Sequence, residues 1–258
     1  MANSLKIVTY NIRCVYEGDG INAFMHRAGL LWDTIQKEQP DVIGFQEVTG
    51  SILKLLKVIL NDYEIVGHGR DPEYDGEGLY VAVKKSTCSI LSANTYWLGD
   101  DPYNFSQIEG QCCPRIFNSV LIKLKNCDTK FRVYNTHLDC NEIAAVRLHE
   151  INNLLAKATE EYKQSPAEFV IMGDFNTTPN ETPVLACLDY TTAKLTDLTC
   201  DIKHTFHDYK ANAPECKIDY IFATNELTSA VKSINVWDRC SSGVYLSDHY
   251  PICAEFEV

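Results

Sequence analysis

The sequence has 258 residues, of which 45% are hydrophobic and 22% are charged, the balance of an ordinary globular protein. It has no run of about 18 apolar residues, which excludes a membrane-spanning helix, and no apolar secretory signal at its start, so we expect a cytoplasmic protein. The net charge is −12 and no lysine or arginine run is present, which argues against a protein that follows a long phosphate backbone.

The first elements in the chain predict a βαβ unit. The stretch "LKIVTYN" (5–11) is predicted as a strand, and "INAFMHRAGLLWDTIQKE" (21–38) has apolar residues at helical spacing, with Asn22 as a candidate N-cap. After Pro40, "DVIGFQE" (41–47) is predicted as a buried strand. The two strands of such a unit are expected to be parallel.

The same order recurs in the second half of the chain. A strand "KFRVYNTHL" (130–138), a helix (142–162) and a buried strand "EFVIMGD" (168–174) predict a second βαβ unit. Further strands are predicted near 79–85, 88–97, 115–124, 217–224, 230–237 and 251–258, and a short helix near 181–188. The segments 67–78 and 99–114 are rich in turn formers and are predicted as long surface loops. The mixture indicates an α/β fold of one domain, 1–258, with two sheets packed face to face and helices outside.

The eleven cysteines are expected to be reduced and mostly buried. Their number is odd, and the chain is long enough to form a core without disulfides. The spacing C-x-x-C is absent, and the adjacent Cys112 and Cys113 suit neither a pair of zinc ligands nor a bridge. The sequence therefore predicts neither a disulfide nor a zinc site.

Polar residues stand at the ends of the predicted core strands. Each alone is explained by a cap or a turn, but together they would cost stability several times over unless they are used. Carboxylate and amide oxygens favour Mg²⁺ or Mn²⁺ over Zn²⁺, and histidines beside them suit hydrolysis of a phosphate ester. The residues are Asn11, Glu47, Asn135, His137, Asp174, Asn176, Asp219, Asp248 and His249.

Six motifs now carry a resemblance to a known family. In order, "TYNIR", "PDVIGFQEV", "NTHLD", "MGDFN", "KIDYIF" and "SDHYP" resemble the motif series of the endonuclease/exonuclease/phosphatase superfamily, across residues 5–256. Its members include pancreatic deoxyribonuclease, abasic-site endonucleases, deadenylases, neutral sphingomyelinases and inositol-phosphate phosphatases. The resemblance implies a four-layer α-β-β-α sandwich of two mixed sheets, with the site at one edge.

The resemblance also implies a metal site and a departure from one branch of the family. Glu47 matches the metal-binding glutamate, with Asn11 beside it and Asp248 next to the metal, which is expected to be Mg²⁺ or Mn²⁺. Where abasic-site endonucleases carry an aspartate two positions after the first asparagine, this chain has Arg13. That difference argues against a repair enzyme and against a second metal there.

Catalytic roles follow by position from the same resemblance. Asp174 matches the aspartate that orients or activates the attacking water, and Asn176 the amide that holds the phosphate. His249 matches the histidine that contacts the scissile phosphate, with Asp219 as its carboxylate partner. His137 matches a second histidine on the phosphate side.

The substrate stays open between two classes. Arg115 begins a strand and is a candidate phosphate ligand, with an ordinary ion pair as the equal alternative. Asn135 and Arg147 are further substrate-binding candidates and Arg70 is a weaker version of the Arg115 case, although a solvated charge explains Arg70 and Arg147 better. We expect a phosphatase for a small phosphorylated, sugar-like metabolite, acting as a monomer, with nucleic acid and membrane as disfavoured partners. The alternative is an exonuclease, endonuclease or deadenylase-like phosphodiesterase.

Overall fold

The computed structural model describes residues 4–210 and 215–258; residues 1–3 and 211–214 of the predicted domain lie outside the described part. The helices are α1 (Phe24–Glu38), α2 (Gly50–Ile59), α3 (Ala144–Gln164), α4 (Thr182–Leu188) and α5 (Asn225–Ser229). The strands are β1 (Ser4–Asn11), β2 (Val42–Val48), β3 (Tyr63–Gly69), β4 (Gly78–Lys84), β5 (Cys88–Trp97), β6 (Ile116–Leu124), β7 (Lys130–His137), β8 (Glu168–Asp174), β9 (Leu195–Asp197), β10 (Asp219–Thr224), β11 (Val231–Val236), β12 (Cys240–Ser241), β13 (Val244–Tyr245) and β14 (Ile252–Glu257). Short 3-10 turns span Glu17–Asn22 and Asp208–Lys210.

Two six-stranded mixed sheets form the middle of the fold. One sheet has the order β11-β14-β1-β2-β4-β3 and the other β5-β6-β7-β8-β10-β9. Strands β1 and β2 are parallel, as are β7 and β8, while their other neighbours are antiparallel. The parallel pairing predicted for both βαβ units is therefore confirmed.

The apolar side chains sort into three layers of packing. Between the sheets lie fully buried aliphatic residues of both, such as Ile7 and Val81 from one sheet and Val133 and Val170 from the other. Helices α1 and α2 cover the outer face of the first sheet, and α3 and α4 cover that of the second. The predicted four-layer α-β-β-α sandwich is confirmed. Each sheet has an apolar surface on both faces, so one face packs against the other sheet and the opposite face is covered by helices.

Several local expectations differ from the structure. Strand β3 was not predicted, and its last residues take up the start of the predicted loop 67–78. Helix α1 begins at Phe24, and Asn22 is not its N-cap, since the Asn22 side-chain oxygen instead accepts the Tyr245 backbone N–H at 2.8 Å. Helix α2, with its buried Ile52 and Leu56, is absent from the sequence prediction. The cysteines are all free, as expected, but four of them are exposed and only three are buried. Among the described helices, none combines the length and apolar character needed to cross a membrane.

A buried carboxylate joins α3 to the second sheet. Glu161 accepts hydrogen bonds from the hydroxyls of Ser119 (2.6 Å), Tyr134 (2.9 Å) and Tyr96 (3.2 Å). The guanidinium of Arg132 lies 3.4 Å away, and both members of this ion pair are buried. Removing the carboxylate would leave a buried cation and three hydroxyl groups without their partner.

We therefore predict that Glu161→Ala lowers the free energy of unfolding by about 3–5 kcal/mol, the range for breaking a buried ion pair. Urea denaturation at neutral pH measures the change. The neighbouring Glu160 is exposed and pairs with the buried Lys157, whose ammonium keeps a second partner in the Tyr103 hydroxyl, so Glu160→Ala should cost less than about 1 kcal/mol. Equal effects of the two substitutions would contradict the prediction.

Candidate active site

The strand pairing brings the polar strand ends to one edge of the sandwich. Because β1 and β2 are parallel, Asn11 and Glu47 leave their sheet at the same edge. In the second sheet, His137 and Asp174 are direct partners in the parallel pair β7–β8, and Asp219 lies opposite Asp174 at the start of antiparallel β10. Residues far apart in the chain thus meet where the two sheets open to solvent.

The backbone at this edge is strained. Glu47 has a φ of 62° and Asn176 a φ of 47°, both in the left-handed region that non-glycine residues rarely adopt. Gly173 has a φ of 146°, and a Cβ there would lie 1.9 Å from the Thr136 carbonyl oxygen, so only glycine fits. Such strain concentrates where the surrounding structure holds side chains for a function.

Asn11 joins the two sheets at the centre of the site. Its side-chain N–H₂ group donates to Glu47 Oε1 and to Asp174 Oδ2, each at 2.9 Å. The Asn176 backbone N–H donates to the other Asp174 oxygen at 2.8 Å. Burial and then the Asp219 carboxylate raise the pKa of Asp174 to about 7, although these hydrogen bonds and the charge of His249 oppose the shift. Both carboxylates are thereby held in single orientations.

His249 is held as a charged donor. Its Nδ1 donates to Asp219 Oδ2 at 2.9 Å, and its Nε2 lies 3.8 Å from Asp174 Oδ2. Burial opposes charge on the ring, but the Asp219 and Asp174 carboxylates outweigh it and raise the pKa of His249 well above its ordinary value. The Nε2–H of an imidazolium therefore points into the site at neutral pH.

His137 is held in the opposite state. Burial, followed by the positive charges of Arg115, Arg70 and His249, lowers its pKa well below the ordinary value. The Asn176 amide donates to His137 Nε2 at 3.0 Å and to the Leu138 carbonyl at the same distance. The ring is therefore neutral, with its proton on Nδ1, and it fixes the Asn176 amide.

The donor set fits a hard divalent cation. Burial opposes the charge on Glu47, but hydrogen bonds from the Cys14 N–H (2.8 Å) and Asn11, with the charges of His249 and Arg13, lower its pKa, so it is a carboxylate at neutral pH. Ligand atoms of Glu47, His137 and Asp174 lie within 4.8 Å of one another. Two carboxylates in this array provide the oxygen ligands that Mg²⁺ and Mn²⁺ prefer.

Asp248 is placed beside this cluster but has a protein partner. The Arg13 guanidinium lies 3.5 Å from its Oδ2 and 3.4 Å from Asp19. Burial and the Glu47 charge raise the pKa of Asp248. Arg13, which departs from the abasic-endonuclease pattern, therefore supplies a fixed positive charge next to the residue predicted to lie beside the metal.

A cleft of about 450 Å³ opens over these residues, within the range of about 300–1,000 Å³ typical of small-molecule sites. Arg70 and Glu77, from the segment between β3 and β4, form part of its wall, with Arg115 at the start of β6. Sequence reasoning gave Arg70 little weight and missed Glu77 and Asp139. Asp139 is fully buried, and its carboxylate lies 3.5 Å from Arg115 Nε. Its place in the motif "NTHLD" was the sequence feature that could have identified it.

Two substrate-binding candidates lie outside the cleft lining. The fully buried Asn135 bridges the sheets below the site, donating to the Phe45 carbonyl (3.1 Å) and accepting from the Gln46 amide (2.6 Å). Arg147 donates to the Asn141 carbonyl and contacts Glu181 at 3.3 Å. Both side chains bind other groups of the protein, so in this structure they support neighbouring segments and do not line the cleft.

Comparison with known proteins agrees with this geometry. The sequence model described as Endonuclease/Exonuclease/phosphatase family matches residues 8–249. The chain belongs to this family. Members of the endonuclease/exonuclease/phosphatase family are metal-dependent hydrolases of phosphoesters. A search of curated proteins found no match.

Solved structures of the family superpose over nearly the whole chain. An endonuclease/exonuclease/phosphatase from Bacteroides vulgatus is 26% identical, with a TM-score of 0.89 and 99% of each chain covered. A mannosyl-6-phosphatase from Bacteroides thetaiotaomicron is 23% identical, with a TM-score of 0.85 and coverage of 97% of this chain and 98% of that one. D. rerio TDP2, complexed with a single-stranded DNA product, is 18% identical, with a TM-score of 0.76 and coverage of 99% and 100%. For the two structures below 25% identity, the likeness shows the fold alone.

Proposed function

We propose that this chain is a Mg²⁺- or Mn²⁺-dependent phosphomonoesterase that acts, as a monomer, on a small phosphorylated metabolite resembling a sugar phosphate. The observation that carries the proposal is the position of two arginines, Arg70 and Arg115, in the wall of a cleft of small-molecule size. Beyond His137, a recess lined by Arg70, Arg115, Leu79 and Ile116 has room for about 10 Å³, about one water molecule. A terminal phosphate is too large for this recess and would lie in the cleft itself, whose wall holds both arginines, whereas a polynucleotide needs cations along the length of a groove.

The charges of the cleft support the same substrate class. Each arginine of the lining contacts a carboxylate: Arg13 with Asp248, Arg70 with Glu77 at 3.0 Å, and Arg115 with Asp139. The described lining contains no lysine. Ion-paired arginines at one end of the cleft suit a single phosphate group, while a groove that binds nucleic acid usually has a row of cations without carboxylate partners.

The residues predicted to hold the metal are Glu47, with Asn11 and Asp248 close by. A cation bound there would act as a Lewis acid on a phosphoryl oxygen and stabilise the negative charge that develops on it. Asn11 would orient the Glu47 carboxylate through the hydrogen bond it already makes.

The chain's own residues account for the rest of the reaction. The Asp174 carboxylate is placed to orient a water for in-line attack on phosphorus and to receive its proton. The His249 imidazolium is a donor for the phosphoryl oxygens, and the Asn176 amide would join it by exchanging its hydrogen bond to His137 Nε2 for one to the phosphate. His137 holds the Asn176 amide, and Asp219 holds His249. No side chain serves as a covalent nucleophile in this scheme.

Two neighbours in structure mark the alternatives. The mannosyl-6-phosphatase acts, by its name, on a phosphorylated sugar, which favours the proposal. The complex of D. rerio TDP2 with DNA product keeps a phosphodiesterase or nuclease as the alternative, since catalytic residues of this kind serve either substrate.

The deciding experiment is a phosphate-release screen over hexose phosphates, nucleotides and inositol phosphates, each with Mg²⁺ or Mn²⁺, run beside short single-stranded DNA and RNA. We expect release of phosphate from a small monoester and little cleavage of the oligonucleotides. An Asp174→Asn enzyme run in parallel excludes contaminating phosphatases. Efficient degradation of the oligonucleotides without phosphate release from any monoester would overturn the proposal in favour of the nuclease.

Arg115 and Arg147 give a matched test of the phosphate position. Arg115→Lys keeps the charge but loses the planar fork that binds phosphate oxygens in pairs, so we expect the KM for the best monoester to rise about tenfold, the loss of about 1.4 kcal/mol of a charge-assisted hydrogen bond. Arg147→Lys, outside the cleft, should leave KM within about twofold. Steady-state kinetics measures both, and an unchanged KM for Arg115→Lys would remove Arg115 from the phosphate site.

A further inference from the structure

We propose that Cys112, Asp139 and Cys140 form a binding site for a thiophilic divalent cation such as Zn²⁺, separate from the hard-cation site at Glu47. The sequence predicts no zinc site, because these residues lack the usual ligand spacing. The fold brings them together at the rim of the cleft, where the segment before β6 meets the segment after β7.

The distances among the three side chains match a tetrahedral soft-metal centre. Cys112 Sγ lies 3.8 Å from Cys140 Sγ and 3.1 Å from Asp139 Oδ1, and the three ligand atoms lie within 4.8 Å of one another. Two sulfurs bound to tetrahedral zinc at about 2.3 Å are about 3.8 Å apart. A disulfide would require the sulfurs to approach to about 2.05 Å, so the observed separation fits the cation better.

The carboxylate of the site is already fixed by other contacts. Asp139 is fully buried, and its Oδ1 accepts the Asn141 backbone N–H at 2.9 Å. Its Oδ2 accepts the Cys112 backbone N–H at 2.9 Å and faces Arg115 at 3.5 Å. Asp139 Oδ1 therefore faces the thiols, while Asp139 Oδ2 faces the Arg115 guanidinium. Hydrogen bonds of this kind orient metal-bound carboxylates and strengthen binding.

The charges balance when a cation binds. The cation displaces one proton from each thiol and forms two metal–sulfur bonds, and the two protons leave to solvent. Two thiolates and one carboxylate around a divalent ion carry a net charge of −1, which the adjacent Arg115 guanidinium offsets. Cys112 and Cys140 are both exposed, so the ion has an entry path, and water can take a fourth position.

Binding would link two parts of the cleft. Cys112 stands three residues before Arg115, and Cys140 stands three residues after His137. A cation held by both thiols would therefore fasten the segment leading to Arg115 onto the end of the strand that carries His137. Since the ligands converge only in the folded chain, the ion would also stabilise it by mass action.

The test uses Co²⁺ and Zn²⁺ on the full chain, with thiols reduced by a phosphine and with excess Mg²⁺ present to occupy the oxygen-ligand site. We expect one Co²⁺ per chain with visible bands of tetrahedral geometry and a thiolate-to-cobalt charge-transfer band, and displacement of Co²⁺ by Zn²⁺. Cys112→Ser and Cys140→Ser should each lose the charge-transfer intensity and weaken Zn²⁺ binding at least about 100-fold, measured by competition with a chromophoric chelator.

Cys200→Ser is the matched control, because Cys200 is also an exposed free thiol and takes no part in the cluster. It should bind both ions like the unaltered protein, and far-ultraviolet circular dichroism should show all variants folded. Absence of a charge-transfer band in the reduced protein, or bands that survive in the Cys112→Ser/Cys140→Ser double variant, would overturn the proposal. So would formation of a Cys112–Cys140 disulfide alone, with no binding of either ion to the reduced thiols.

Discussion

Replacing Asp174 with asparagine should lower kcat by about 10²–10⁴-fold, the contribution of a placed general base, while the protein stays folded. The change removes one negative charge and keeps the shape of the side chain. Asp174 accepts hydrogen bonds from Asn11 and from the Asn176 N–H, and an amide in its place has one oxygen instead of two to receive them. The variant therefore loses both the base and part of the orientation of its neighbours.

The measurement is steady-state phosphate release at saturating substrate and saturating Mg²⁺. Asp128→Asn is the control, because the Asp128 side chain is 99% exposed and pairs only with Lys123 on the surface, among the described residues; its kcat should equal that of the unaltered enzyme. An Asp174→Asn enzyme that keeps more than about a tenth of the activity would rule out Asp174 as the base.

Replacing Glu47 with glutamine should weaken activation by Mg²⁺ or Mn²⁺ and lower turnover by about 100-fold or more at fixed low metal concentration, a loss of about 2.7 kcal/mol or more of charge stabilisation. Glu47 is a carboxylate in this site, oriented by Asn11 and the Cys14 N–H, and an amide there attracts a cation far less. Excess EDTA should abolish turnover of the unaltered enzyme, and added Mg²⁺ should restore it.

The concentration of metal needed for half-maximal activity separates this effect from that of Asp174. We expect it to rise at least tenfold in Glu47→Gln, with partial recovery of turnover at high metal, and no such recovery in Asp174→Asn. Glu64→Gln, on the exposed face of β3, is the control and should leave metal activation unchanged. Full turnover in EDTA, or an unaltered activation constant in Glu47→Gln, would mean that the metal lies elsewhere or is not needed.

The sequence by itself determined the architecture and the central cluster. Short apolar runs that end in polar residues predict buried strands with their functional ends at one edge, and two βαβ units oblige those strands to run parallel. The neighbouring positions of Asn11 and Glu47 in one sheet, and of His137 and Asp174 in the other, follow from this local information. Helix α2 was missed although Ile52, Leu53 and Leu56 stand at helical spacing, and the start of α1 was missed because that helix begins without a side-chain cap.

Only the tertiary structure decided what the remaining polar residues contact. Asn135 was a substrate-binding candidate, yet it pairs with Gln46, 89 residues away, inside the interface between the sheets. Arg115 proved to face Asp139, and Cys112 to face Cys140, across a boundary between two loops. Such contacts depend on how the two sheets pack and on the path that the long loops take over the edge of the sheets. The spacing of residues along the chain does not encode the distances between their side chains in space. A strand end is a local property of the sequence, whereas a partner across the cleft is a property of the fold.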